Sequence, residues 1–236
     1  MLIENLFPEV CNLFGDPQNA AYLLMSAEGA EEIRTPLDGI PYFVSERPDI
    51  ILMGSMSEST QRRVTEKLRP YRDRISDLIE SGCVFLMTGN ALDVFCRSIT
   101  YVTENIVTDG LGIFDGFEVV TDWFKRKNGK IIGKCDGVTV TGFRSQFAEI
   151  SGDNSQMFFV KADRGDGIRA GVPYEGIRYR NFIGTQILGP ILPLNPGFTS
   201  YLIRLCGGIP HPAFEKEAVE AFDRRVEEFL DPSVKF

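Results

Sequence analysis

The chain reads as an α/β fold built on a mainly parallel sheet flanked by helices, with an antiparallel β-rich section after residue 110. Three observations predict it. Asp49-Ile-Ile-Leu-Met-Gly54 and Val84 to Met87 are short, continuously apolar runs, as strands buried on both faces are. Each ends in a turn and passes into a helical pattern, and strands alternating with helices point to a parallel sheet. From residue 110 onwards the texture changes: glycines at 110, 112, 116, 129, 133, 137 and 142 punctuate short β-rich segments.

Taken in order, residues 2–7 read as a strand, and Asn12-Leu-Phe-Gly-Asp-Pro-Gln-Asn19 combines turn formers with a helix start. Asp16 reads as a cap, with Pro17 at the first helical position, for a helix through Leu23 and Ala27 to Gly29. The same Gly-Asp loop also offers free N–H groups to an anion or a substrate amide. Weak strand signals cover 31–37 and 40–44. After the strand to Gly54 come Ser55, Met56 and Ser57, then a charged helical region, 58–80, which Pro70 divides or kinks. Gly54 is either a turn residue or a place where backbone approaches a ligand.

The second apolar strand stops at Thr88-Gly89-Asn90, and Leu92, Phe95 and Ile99 continue at helical spacing. A strand, a sharp turn and a helix are the parts of a nucleophile elbow, which holds a side chain up on a strained turn and aims the next N–H at an oxyanion. Here Thr88 stands at the elbow. Further on, Phe117–Phe124, Lys130–Cys135 and Val138–Phe143 read as consecutive antiparallel strands, with Asn128-Gly129 as a hairpin tip and Gly142–Gln146 as a turn. The basic cluster Lys125–Lys130 is then either that solvated tip or a phosphate-binding patch. Gln156–Lys161 and Phe182–Leu188 are further strands. Asn195-Pro196 opens a helix that stops at Gly207-Gly208, and Phe214–Leu230 is an amphipathic helix, its apolar face packed on the domain or offered to a partner.

Composition bounds the function. The 236 residues carry a net charge of −8, which argues against a nucleic-acid binder. No run reaches the roughly 20 apolar residues of a membrane span, and the N-terminus has no signal-peptide pattern, so a single cytoplasmic domain, 1–236, is expected. Cysteines 11, 83, 96, 135 and 206 form no C-x-x-C pair, which fits reduced thiols better than disulfides or zinc. The only histidine, His211, lies in a Pro-flanked loop. Asp163 to Gly167 alternates glycines but opens no helix, and no cofactor or metal fingerprint is present.

The segments 12–19, Ile50–Gly54, Thr88–Asn90 and Gly184-Thr-Gln-Ile-Leu-Gly-Pro190, the last followed by Asn195-Pro196, together resemble class-I glutamine amidotransferase domains (flavodoxin-like) of the cobyric acid synthase type. Most similar are the amidotransferase subunits of lipid II isoglutaminyl synthases, which act beside a Mur-ligase-like partner. The resemblance covers most of the chain. It implies a cysteine nucleophile followed by two glycines, which attacks the side-chain amide of glutamine, and a histidine base before the late Gly-Pro. Carried over, the nucleophile falls on Thr88, the glycines on Gly89 and Asn90, the base on Leu188, and part of the oxyanion scaffold on Gly54. A threonine needs an adjacent base to lose its proton, and leucine supplies none. The expectation is therefore a domain without glutaminase activity that acts as a binding or scaffolding subunit of an amide-forming synthetase. Its cleft would gather Gly15, Asp16, Asn19, Gly54, Ser55, Arg144 and Gln146 around glutamine or another small amide. The rival expectation is an active amide or ester hydrolase that uses Thr88, which requires a Lys, Asp or Glu within hydrogen-bond reach of Thr88 Oγ1. A flavodoxin-like sensor of small molecules is a third reading.

Overall fold

Ile50–Met53 and Val84–Thr88 are buried at every residue and form the middle of a six-stranded sheet. The structure, a computed structural model, describes residues 1–234. In chain order its elements are β1 (Leu2–Leu6), α1 (Pro17–Ser26), β2 (Glu31–Thr35), β3 (Ile50–Met53), α2 (Glu58–Leu68), α3 (Arg72–Glu80) and β4 (Val84–Thr88), followed by β5 (Cys96–Tyr101), β6 (Ile106–Asp109), β7 (Phe114–Thr121), β8 (Lys127–Cys135), β9 (Val138–Gln146) and β10 (Ala148–Ser151). The chain ends with β11 (Val160–Arg164), β12 (Tyr174–Glu175), β13 (Ile177–Tyr179), β14 (Phe182–Thr185), α4 (Ile191–Leu194), α5 (Pro196–Leu205) and α6 (Glu215–Leu230).

The main sheet has the order β13-β14-β4-β3-β1-β2, with β14, β4, β3, β1 and β2 parallel and β13 antiparallel at one edge. Alternate side chains of the central strands serve two cores, as the period of two requires. Ile51, Met53, Phe85 and Met87 pack with Val64 and Leu68 of α2 and Leu78 of α3, and Ile50, Leu52, Val84 and Leu86 pack with Leu23 of α1 and Phe198 and Leu202 of α5. The parallel strands, read across the sheet, follow a doubly wound order whose direction of travel reverses between β1 and β3. That switch point opens a crevice at the carboxyl ends of the strands. The link from β4 to β14 is the β-rich section, which forms two further sheets, β10-β7-β5-β6 and β12-β11-β8-β9.

Several local expectations change. After Thr88 the chain makes only a 3-10 turn, Gly89–Phe95, and then becomes β5, so no helix runs through Ile99. Leu92, Phe95 and Ile99 have helical spacing, but Ser98–Tyr101 also alternates more open with buried positions, and pairing with β6 and β7 satisfies the backbone of β5. Residues 40–44 contain a 3-10 turn rather than a strand, fixed by Tyr42 N–H and Phe43 N–H donating to the Glu4 carboxylate at 2.6 and 2.9 Å. Asn128-Gly129 is no hairpin tip: both residues lie inside β8, opposite Ser145 and Arg144 of β9. The tip is Asp136-Gly137, with φ of 47° and 81°, the left-handed pair that a tight hairpin needs. For the same reason Gly142–Gln146 is strand, not turn. Pro70 does divide the charged region, between α2 and α3.

A cleft at the carboxyl ends of the strands

The loops after β1, β3, β4 and β14 meet at one end of the sheet. Asp16 joins three of them. Its carboxylate is turned away from the N–H groups of α1 and accepts instead from Thr88 Oγ1 at 2.6 Å and from Ser55 N–H at 2.6 Å. The expected capping role is thus overturned: Asp16 has helical backbone angles, φ −49° and ψ −34°, rather than the extended ones of a capping residue, and its side chain is drawn to donors across the crevice. Burial raises the Asp16 pKa, with Thr88 and Ser55 opposing that rise. Gly54 is required by this close approach, since a Cβ there would lie 2.5 Å from Cys11 O and from Asp16 Cβ.

The elbow turns at Gly89, whose φ is +58°, while Thr88 stays extended at φ −104°. Thr88 is 2% exposed, and its hydroxyl faces Asp16 beneath the cleft. A Cβ placed on Gly89 would point between Ser55 Oγ at 2.2 Å and Leu188 Cδ2 at 3.0 Å. The side-chain position of the turn is therefore empty at Gly89 and occupied from the next loop by Ser55. Asn90 forms a two-way tether to Met56, accepting from its N–H at 2.9 Å and donating to its carbonyl at 2.7 Å. The N–H groups of Ser55 and Met56 are both consumed in this way, so the loop after Gly54 keeps neither of them free for an oxyanion.

The open cleft, about 220 Å³, is lined by Ser55, Gly89, Asn90, Asp93, Gln146, Gln186 and Leu188, with Leu13, Phe14 and Arg126 among the residues at its rim. Asp16, Asn19, Gly54 and Thr88 line only a space of about 10 Å³ below it. Asn19 is a structural tie, accepting from Leu192 N–H at 3.0 Å. Gly15 packs towards Pro190, and Arg144 turns away from the cleft, donating to the carbonyls of Asp166 and Gly167 and to Gln186 Oε1 at 3.1 Å. Of the residues expected to gather around a ligand, Ser55 and Gln146 line the cleft directly, beside Gly89, Asn90 and Leu188 of the elbow and base positions.

Three lining residues were missing from the sequence reading. Asp93 is fully enclosed, its Oδ2 accepting from Gln61 Nε2 at 3.2 Å, and burial pushes its carboxyl up to about 7. Gln61 also donates to Asn90 O at 2.7 Å and accepts from Tyr101 Oη at 2.9 Å. Gln186 accepts from Gln146 Nε2 at 2.9 Å. The signal for Asp93 was present: it is the one acid in the apolar run Ala91-Leu92-Asp93-Val94-Phe95. Among the described residues, Ser55 Oγ and Asp93 Oδ1 are buried without a hydrogen-bond partner of ordinary geometry, although Ser55 stands close enough to Asp16 for the two to interact. No described group of three acids, cysteines or histidines could hold a metal ion.

The fold is that of glutamine amidotransferases. It is similar to a solved glutamine amidotransferase from Thermotoga maritima, with a TM-score of 0.52 over 97% of this chain and 91% of that one, at 10% sequence identity. It is also similar to a chain in the structure of PurLQS from Thermotoga maritima, with a TM-score of 0.50 over 95% of this chain and 98% of that one, at 12% identity. By sequence the chain is 27% identical over 227 residues to the lipid II isoglutaminyl synthase (glutamine-hydrolyzing) subunit GatD of Staphylococcus aureus, covering 92% of this chain and 85% of that protein. It is a homologue of that subunit with a glutamine amidotransferase-like fold. No family model matches the chain.

Proposed function

We propose that this protein is an amidotransferase-like subunit of the cobyric acid synthase type that has lost glutaminase activity and serves an amide-forming synthetase, of Mur-ligase-like kind, as a binding or scaffolding partner. Its cleft holds a small amide such as glutamine, and the protein works in the cytoplasm. The observation that carries this reading is the pairing of Gly89, which has no side chain at the apex of the turn, with Leu188 opposite it.

Glutamine hydrolysis by the family route needs a thiolate to attack the side-chain amide and a base to handle its proton. Among the described residues, neither a cysteine nor a histidine lines the cleft. Cys96 and Cys83 are buried, and burial raises both thiols, Cys83 to about 11, which keeps them protonated at neutral pH. His211 is exposed in the loop before α6, where its N–H donates to Ser26 O at 2.7 Å. The relative's name makes it a subunit of a synthase, which supports a synthetase partner for this chain. Among the described residues no helix is long and apolar enough to cross a membrane.

One observation favours the rival reading, an active amide or ester hydrolase. Asp16 Oδ1 lies 2.6 Å from Thr88 Oγ1, within the reach that a general base needs. The pair is sealed from the cleft, in a space no larger than a water, and Ser55 N–H holds the other Asp16 oxygen. The test is glutamate release from glutamine, measured with the protein alone and with the synthetase that copurifies with it. No turnover is expected, together with binding of glutamine by calorimetry. Sustained turnover that vanishes in Thr88→Ala would replace this reading with the rival one.

A further inference from the structure

A second cavity, of about 280 Å³, lies apart from the cleft and is open to solvent, lined by Lys127, Asn128, Gly129 and Lys130 of β8, Arg144 of β9, and Gly165, Asp166 and Ala170 beyond β11. The basic cluster was open between a solvated hairpin tip and a phosphate patch. Lys127–Lys130 lie inside β8, which removes the hairpin-tip alternative and places two of the lysines beside a buried arginine. We propose that this cavity is a binding site for a phosphate group, held by Arg144, Lys127 and Lys130, and that Arg144 relays its occupancy to the cleft.

Arg144 is the central evidence. It is 7% exposed, forms no ion pair among the described residues, and leaves its Nε without an acceptor. Its other donors meet neutral oxygens: the carbonyls of Asp166 and Gly167, and Gln186 Oε1. Buried charges are ordinarily paired, because neutral acceptors only partly replace what water supplied. Burial lowers the Arg144 pKa, with Glu175, Asp166 and Glu149 opposing that shift, and an anion at the cavity would add to their stabilisation of the guanidinium.

The lysines are available. Lys127 pairs with Glu149 and Lys130 with Glu228, but all four side chains are a third or more exposed, and such surface pairs exchange readily for a better ligand. Asp166, the acid on the wall, accepts from Gly171 N–H at 2.9 Å. Three cations around one cavity suit a doubly charged, multiply accepting phosphate better than a single carboxylate.

The relay is short. Arg144 Nη2 donates to Gln186 Oε1, the same oxygen that accepts from Gln146 Nε2, and both glutamines line the cleft. An anion that draws Arg144 towards itself alters the hydrogen bonding of two cleft residues. The proposal is independent of whether the cleft has kept any glutaminase chemistry.

Isothermal titration of the full chain with inorganic phosphate at low ionic strength tests it, with succinate as the carboxylate control. Saturable binding of one phosphate is expected, weakened about tenfold or more in the surface variant Lys127→Gln/Lys130→Gln, which leaves the core untouched. Arg144→Lys, which keeps the charge and loses the fork, should weaken it as well. In the same titration the side-chain amide NMR signals of Gln186 and Gln146 should move along the binding curve. No saturable heat, an undiminished affinity in the double variant, or succinate binding as tightly as phosphate would overturn the site. Amide signals that stay fixed while phosphate binds would overturn the relay.

Discussion

Asp16 shows how one buried side chain can organise a site from beneath the cleft. It ties β4 to the loop after β3 through two short hydrogen bonds, both to groups that would otherwise be buried donors without acceptors. Thr88→Val keeps the shape, removes one donor and strands a buried carboxylate oxygen. A loss of about 1–3 kcal/mol is expected in urea denaturation, and a loss near zero would mean that Asp16 finds another partner. Asp93 makes a separate prediction. Its folded pKa is about 7, whereas in the unfolded chain an aspartate titrates near about 3.9. The folded state therefore holds a proton that the unfolded chain releases, so this contribution to stability is present below about pH 4 and lost as pH rises to about 7. Asp93→Asn cannot ionise, so its stability relative to the parent should climb across that window and level off above it. Parallel profiles from denaturation at a series of pH values would exclude Asp93 as the source.

At the scale of elements, the strands that were plain in the sequence are those whose burial is decided by the chain itself. Ile50–Met53 and Val84–Met87 are apolar throughout, and only a central strand tolerates that. The boundary after Thr88 was not legible, because three apolar residues at helical spacing also fit a 3-10 turn leading into a strand, and pairing with β6 and β7 decides between them. The sequence places the tight turn at Asn128-Gly129, but Asp136-Gly137 suits one as well, and register with β9 selects it. Asn195 illustrates a tie between elements. Its side chain accepts from Thr141 N–H at 2.8 Å and donates to the carbonyls of Thr141 and Ile191, joining β9 to α4 and α5. Asn195→Ala would leave these buried backbone groups unpaired, and a destabilisation of about 2–4 kcal/mol is expected from thermal or urea unfolding.

At the scale of the molecule, the β-rich section shares its core with the main sheet. Ile99, Phe117 and Ile150 pack in the same cluster as Phe85 and Met87, and Ile131 and Val140 share the other cluster with Leu86. The proposal of a single domain, 1–236, follows from that sharing. Scanning calorimetry should then give one transition whose calorimetric and van't Hoff enthalpies agree. Two separable transitions would divide the chain near residue 110.

The sequence by itself determined the α/β class, the central strands, the division of the charged helix at Pro70, and a turn at the end of β4. These depend on local patterns and on residue types, which do not change when the chain folds. The tertiary structure decided what the elbow became. It put the sharp turn at Gly89, set Ser55 where a side chain would have stood, sealed Thr88 against Asp16, bonded Arg144 to Gln186 and to the carbonyls of Asp166 and Gly167, and brought Asp93 and Gln186 to the cleft. Each outcome depends on which groups meet across the sheet, and pairings between residues dozens of positions apart are fixed by packing and hydrogen-bond completion rather than by spacing along the chain.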